Sequence, residues 1–202
     1  MRALITDMGT PLGYAIGNSL EVVEAIHTLQ GEGPEDLTEL CVALSAHILN
    51  LAEKGTVEEC EKMAREAIRN GTGLQMLACM VEAQGGDKEW ILHPENFPKA
   101  AYSYEVKARE DGYIIGVDTE SYGVASLLLG AGRNTKEDVI DPTAGIILCK
   151  KTGDFVKAGE TLAILYSGKQ TGFAASEERL LQATKMGKTA PKSEPLILDI
   201  VE

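Results

Sequence analysis

The sequence predicts a two-part chain: an α/β segment over residues 1–97 with one strand and four helices, then an α+β domain over residues 98–202. Three observations carry that reading. Apolar residues recur at helical spacing almost without a break from Val22 to Ala83. From Pro98 the texture changes to short alternating runs divided by glycines. The charge shifts at the same place: 6 Lys/Arg and 16 Asp/Glu up to Phe97 give a net charge of -10, against 13 and 15, net -2, beyond it.

Ala3-Leu-Ile-Thr6, a short apolar run ended by Asp7, reads as a buried strand of a parallel sheet. A parallel strand needs neighbours reached through crossover connections, and the residues that follow are almost all helical, so this strand is left an orphan. After the loop from Gly9 to Asn18, Val22, Ile26 and Leu29 mark one face of a helix that ends near Gly31. Behind Pro34, Leu37, Leu40, Cys41, Leu44, Ile48 and Leu51 keep a helical stripe over four turns. Thr56-Val-Glu-Glu59 has the form of a capping box and opens a third helix, with Val57, Cys60, Met63, Ala64, Ala67 and Ile68 facing inward. A fourth runs from about Gly73 to Ala83 and stops at Gly85-Gly86.

In the second part, Ala101 to Ala108, Tyr113 to Val117, Gly145 to Cys149 and Thr161 to Leu165 read as strands, with a helix from Glu120 to Leu129. A polar helix from Ser176 to Met186 and a last strand from Pro195 to Val201 complete this half. Gly153-Asp-x-Val-x-x-Gly-Glu160 makes a tight turn into an apolar strand. Such hammerhead turns recur in flattened β-barrels of the biotinyl and lipoyl type, so a barrel-sandwich-like α+β domain is expected.

Composition excludes several classes of function. No apolar run approaches the roughly 18 residues that cross a bilayer, so no membrane partner is expected. The net charge of -12 would repel a phosphate backbone, which argues against nucleic acid. Met1 to Gly13 lacks the basic start and apolar core of a secretory signal, which makes the cytoplasm the expected compartment. Cys41, Cys60, Cys79 and Cys149 are widely spaced, with no Cys-x-x-Cys pair, and are read as reduced core thiols.

The loop Gly9-Thr-Pro-Leu-Gly-Tyr-Ala-Ile-Gly17-Asn18 links a strand to a helix, where α/β proteins present backbone groups to ligands. It matches neither a dinucleotide fingerprint nor a P-loop. From spacing alone it is either a tight turn or a loop whose carbonyls hold an ion. It has no Lys or Arg for a phosphate, while Glu21 and Glu24 follow it, a donor set suited to a hard cation. His27, His47 and His93 are scattered, with no Ser, Cys or Asp at an informative spacing. The acids Glu58, Glu59 and Glu61 read as a solvated helix face rather than paired glycosidase carboxylates. Leu127-Leu-Leu-Gly-Ala-Gly-Arg133 ends a helix on glycines, and Arg133 is either an anion ligand or a partner for Asp138 or Asp141.

Ile5-Thr-Asp-Met8, Pro11-Leu-Gly-Tyr-Ala-Ile-Gly-Asn18, Leu20-Glu-Val22 and Asp36-Leu-Thr-Glu-Leu40 together resemble the second half of the pyrimidine-nucleoside phosphorylases, the family that includes bacterial thymidine phosphorylase. The resemblance continues through Pro98-Lys-Ala-Ala-Tyr102, Leu129-Gly-Ala-Gly-Arg133 and Lys136-Glu-Asp-Val-Ile-Asp141 into Gly153-Asp154. It implies a truncated α/β phosphorylase domain, of one or few strands with four helices, over residues 1–97, and the family's C-terminal α+β domain over 98–202. It also implies phosphorolysis, in which a pyrimidine nucleoside and phosphate give the free base and a pentose 1-phosphate.

The family's Lys-x-Asp-Lys-His-Ser-Thr-Gly-Gly phosphate loop and its base-binding Arg and Lys belong to the earlier half and do not occur in this sequence. The chain alone is therefore expected to be catalytically silent, with no catalytic or substrate-binding residue of its own. What the resemblance does carry over is a partial potassium site: the main-chain oxygens of Leu12 and Ala15 and the side chain of Glu24. The family is dimeric, so either a homodimer or association with a missing N-terminal half is expected. Two other readings stand beside this one. A stand-alone biotinyl- or lipoyl-like binding module would need a lysine at a hairpin tip, and Lys185-Met186, the nearest approach, falls in a predicted helix. An assembly partner of a separately encoded first half would leave the chemistry to that half.

Overall fold

The structure, a computed structural model, describes residues 1–133 and 135–201. Its contacts divide the chain into two units: Met1–Asp7 with Val23–Phe97 and Pro195–Glu202, and Met8–Val22 with Pro98–Glu194. One seam falls after Phe97, where the sequence texture changes, but residues 8–22 go with the later half and the C-terminal strand with the earlier one. No helix among the described residues is long and apolar enough to cross a membrane.

Along the chain run β1 (Ala3–Thr6), β2 (Ala15–Ile16), α1 (Asn18–Leu29), α2 (Glu35–Leu51), α3 (Val57–Arg69), α4 (Thr72–Ala83) and α5 (Glu89–Leu92). Then come β3 (Tyr102–Lys107), β4 (Gly112–Val117), α6 (Thr119–Ser126), β5 (Gly145–Leu148), β6 (Phe155–Val156), β7 (Thr161–Ser167), α7 (Phe173–Ala183), β8 (Thr184–Gly187) and β9 (Ile197–Val201). The fold is mixed α and β, with small antiparallel sheets.

In the first unit β1 pairs antiparallel with β9, Leu4 opposite Ile200 and Ala3 opposite Val201. This corrects two expectations. The N-terminal strand is neither orphaned nor part of a parallel ladder, because the equally apolar C-terminal run, assigned from sequence to the second half, supplies its partner. Nor is the strand buried: Ile5 is 46% exposed, since a two-stranded ribbon has no second layer on its outer face. Arg2 ties this end of the ribbon to α2 through His47 Nδ1 and Asn50 Oδ1, both at 2.9 Å.

Helices α1 to α4 form close to where sequence chemistry placed them, and the one-turn α5 is one that it did not predict. Pro34 precedes α2, and Glu35 and Asp36 in its first turn favour the positive end of the helix dipole. The capping box of α3 is complete: Thr56 Oγ1 accepts from the Glu59 N–H at 3.3 Å, and the Glu59 carboxylate accepts from the Thr56 N–H at 2.9 Å. Ile26, Ala78 and Ile91 form the buried cluster of this unit, with Leu74, Leu77, Val81 and Phe97 packed against them. On α3 Cys60 is fully buried, but Met63 points outward at 46% exposure. On α2 the buried residues are Val42 and Ala46, and the predicted apolar stripe lies largely in solvent. Cys41, Cys79 and Cys149 are exposed, so only Cys60 is a core thiol.

The second unit carries two antiparallel sheets, β2-β5-β7-β3 and β6-β4-β8. Alternation decides which side chains enter the core: Ile146 and Leu148 of β5 and Ala163 and Leu165 of β7 are buried beside Val106, and α6 and α7 add Tyr122, Ala125, Leu180 and Ala183. A second cluster gathers Ala108, Ile114, Val156 and Leu162. The hammerhead segment runs as expected into β7, held by the Asp154 carboxylate on the Lys151 N–H at 2.8 Å and the Glu160 carboxylate on the Lys157 N–H at 3.0 Å. The helix predicted to Met186 stops at Ala183, because β4 recruits Thr184–Gly187 as a partner strand.

Where β2 crosses β5 the backbones touch. A Cβ on Gly17, whose φ is +135°, would stand 2.6 Å from the Ala144 carbonyl oxygen and 2.9 Å from Gly145 Cα. Gly153, at φ +102°, has open space where its Cβ would be. Gly17→Ala is therefore expected to cost on the order of 3 kcal/mol, strain plus steric clash, and Gly153→Ala about 1 kcal/mol, strain alone, in urea unfolding. Thr56→Ala should cost about 1 kcal/mol through loss of the cap.

Candidate functional site

The loop singled out from sequence becomes part of a built structure in the second unit. Its anchor is the two-residue strand β2, with Ala15 opposite Ile147 and Ile16 opposite Ile146, while the Tyr14 carbonyl accepts from the Leu148 N–H at 2.8 Å. Asn18 Nδ2 donates to the Ala131 carbonyl at 2.7 Å, and Ser19 binds the Pro142 carbonyl through both its N–H and its hydroxyl. The Thr119 hydroxyl donates to the Met8 carbonyl at 3.2 Å, and the Lys151 ammonium lies 4.9 Å from the centre of the Tyr14 ring. These bonds stitch the loop to the segments after α6 and before β5.

Of the sequence-predicted ion ligands, Leu12 is half-buried in the loop and Ala15 is buried in β2, both in the second unit. Between them Gly13 is buried at φ +67°, a left-handed turn that a side chain would strain. Glu24 is half-buried in α1 and belongs to the first unit. Glu21, the other acid considered from sequence, is committed locally: its Oε1 accepts from the Gly17 N–H at 2.8 Å at the start of α1. Among the described residues no group of three or more His, Cys, Asp or Glu side chains converges as a metal-binding set. A cation here would rely on main-chain oxygens, a set that suits a hard ion.

The segment after α6 turns back on Gly130, at φ +106°. Asp141 holds that turn in place. Its N–H donates to the Gly130 carbonyl at 2.9 Å; its Oδ1 accepts from the Thr143 N–H at 2.9 Å and the Thr143 hydroxyl at 2.7 Å; its Oδ2 accepts from the Gly168 N–H at 2.7 Å. Burial alone would push its carboxyl pKa up, but these donors and the nearby Lys169 charge outweigh it and hold the carboxyl below its usual range. Sequence reasoning offered Asp141 as a partner for Arg133; its acceptors serve Thr143 and Gly168 instead, and Arg133 is exposed.

A polar cleft of about 540 Å³, which sequence reasoning missed, is lined by Asp118, Ser121, Arg179, Gln182 and Lys185. Arg179 and Lys185 lie 61 and 67 positions beyond Asp118, on α7 and β8, so no local motif announces it. Asp118 caps α6: the Ser121 hydroxyl and N–H keep its carboxyl below the usual range. Lys185 lies within β8, paired opposite Gly116, rather than in the predicted helix or at a hairpin tip. A lysine in a strand is not presented as a carrier domain presents one. His47 is engaged by Arg2, and His93 sits exposed beside Glu95.

Residues 113–187 match the model of the pyrimidine nucleoside phosphorylase C-terminal domain. The stretch begins in β4 and ends with β8, enclosing α6, the Gly130 turn, Asp141 and α7. Over 198 residues, 98% of this chain and 46% of the relative, the chain is 44% identical to the pyrimidine-nucleoside phosphorylase of Geobacillus stearothermophilus. It is 48% identical over 169 residues to that of Staphylococcus aureus strain USA300, covering 83% of this chain and 39% of the relative. The chain belongs to the pyrimidine-nucleoside phosphorylase family, to whose C-terminal portion it is similar, and it spans less than half the length of these relatives.

Asp141→Asn removes a charged acceptor and is expected to cost roughly 1–2 kcal/mol at neutral pH. Because the folded-state pKa is lowered, the wild-type advantage is present above the unfolded carboxyl value, near 4, and is lost as pH falls through the folded value. Paired urea titrations at pH 7 and pH 3 should show the two proteins converging at the lower pH.

Proposed function

We propose that this chain is the C-terminal portion of a pyrimidine-nucleoside phosphorylase, contributing scaffold to the conversion of a pyrimidine nucleoside and phosphate into free base and pentose 1-phosphate. The observation that carries this is the 44% identity over 98% of the chain to a relative of that name. In such a reaction charge builds on the departing base, and the sugar takes on oxocarbenium character. Donors for the base carbonyl and a cationic pocket for dianionic phosphate must therefore be preorganised. The Gly9–Asn18 loop supplies no Lys or Arg, and the family's phosphate-loop motif does not occur in the sequence. The chain alone should then be silent in phosphorolysis of uridine and thymidine, and turnover by it would refute this assignment. On this reading the two sheets of the second unit are the barrel-sandwich-like C-terminal domain of the family, used as structure and not as a carrier.

We propose further that the Leu12 and Ala15 carbonyl oxygens and the Glu24 carboxylate contribute to binding a potassium ion, whose role when bound is to brace the loop electrostatically. The chemistry of the donors supports this, neutral carbonyls with one carboxylate around a weakly hydrated cation. The chain's own part is to fix the loop through β2, so that these oxygens need little ordering when the ion arrives. With potassium chloride in place of the same concentration of sodium chloride, melting of the wild type should rise by about 2 °C or more. Glu24→Gln should abolish the difference, and an equal response in the variant would remove Glu24 from the ligand set.

A further inference from the structure

Helix α2 is apolar on two opposite sides. At about 100° per residue, Val42 and Ala46, 2% and 1% exposed, mark the side packed within the first unit. Leu37, Cys41, Leu44, Ile48 and Leu51 fall on the other side, spaced four, three, four and three residues apart. Leu44, Ile48 and Leu51 are 40%, 66% and 51% exposed, and the Cys41 thiol is exposed as well. A helix apolar on both sides is normally covered on both. The alternating four-and-three spacing is that of a helix packed against another helix over two heptads.

We propose that this seam seats a helix of the phosphorylase polypeptide that lies outside the matched region of the longer relatives. The inference rests on the family reading proposed for this chain and names the surface through which it meets the rest of that fold. Two observations favour this occupant. The relatives carry more than half their length beyond the part this chain matches. The first unit also leaves a second apolar surface open, with Ile5 and Val201 46% and 51% exposed on the β1–β9 ribbon, while among its described residues the buried apolar side chains are Ile26, Val42, Ala46, Cys60, Ala78 and Ile91. A unit open on two sides lacks part of its own core. A second copy fits less well: a seam of about 20 Å presents on the order of 200–300 Å², against about 800 Å² per partner in a stable dimer.

The test combines this full chain with the segment that the Geobacillus stearothermophilus relative carries outside the matched region, the two purified separately or co-expressed. Association should be measurable by analytical ultracentrifugation. Leu44→Asp and Ile48→Asp should each weaken it at least tenfold, whereas Val139→Asp, at an 88% exposed position of the second unit, should leave it unchanged. An independent readout needs no variant: maleimide labelling of Cys41 should slow at least tenfold in the complex, with exposed Cys149 as the internal reference. The proposal is overturned if no complex forms, if Cys41 labels at the same rate in the complex, or if the seam variants bind as the wild type does. It is likewise overturned if the chain alone is a dimer that Ile48→Asp dissociates, since the occupant is then a second copy. Phosphorolysis by the complex is scored separately. A complex that forms through the seam without turnover keeps this surface and defeats the functional reading; turnover unaffected by the seam variants does the reverse.

Discussion

The second unit depends on a place where two backbones come closer than side chains would allow. Gly17 at the end of the loop and Gly145 at the start of β5 face each other, and a methyl group on either would strike the other strand's backbone. That contact lets a strand of only two residues, β2, pair with β5 and so fixes the loop between Met8 and Asn18 to the sheet. Hydrogen bonds from Asn18, Ser19 and Thr119 to main-chain carbonyls then hold the loop from both ends. A loop secured in this way keeps its main-chain groups in fixed positions.

The same economy of backbone contacts runs through the rest of this unit. Ser167 and Ser176 are fully buried, and each donates its hydroxyl to a helix carbonyl, of Leu129 and Ala125 respectively, so their burial leaves no polar group unmet. Asp141 satisfies three donors on two segments and keeps the Gly130 turn against the strand end at Gly168. The first unit is built differently. Its helices close on a small cluster, and they leave aliphatic side chains of α2 and of the β1–β9 ribbon in solvent.

Much of this architecture is legible in local chemistry. Pro34, the Thr56 capping box and Gly85-Gly86 bound helices because capping and left-handed turns are decided within a few residues. The Gly153 to Glu160 turn is likewise readable, since Asp154 and Glu160 bond to backbone three residues away. The end of α7 is not: Thr184–Gly187 has acceptable helical residues, and only the availability of β4 as a partner makes it a strand. The Asp118–Arg179–Lys185 cleft escapes for the same reason, being assembled from elements far apart in the chain.

The sequence by itself determined the family, the helix boundaries set by caps, and the type of donor the Gly9–Asn18 loop can offer, because each follows from residue identity at short spacing. Tertiary structure alone decided that β1 takes β9 as an antiparallel partner, that Asp141 serves Thr143 and Gly168 rather than Arg133, and that α2 buries Val42 and Ala46 while Leu44, Ile48 and Leu51 face solvent. Strand pairing and the choice between two apolar faces are settled by whichever surfaces meet across the chain, and periodicity within one segment carries no record of its partner.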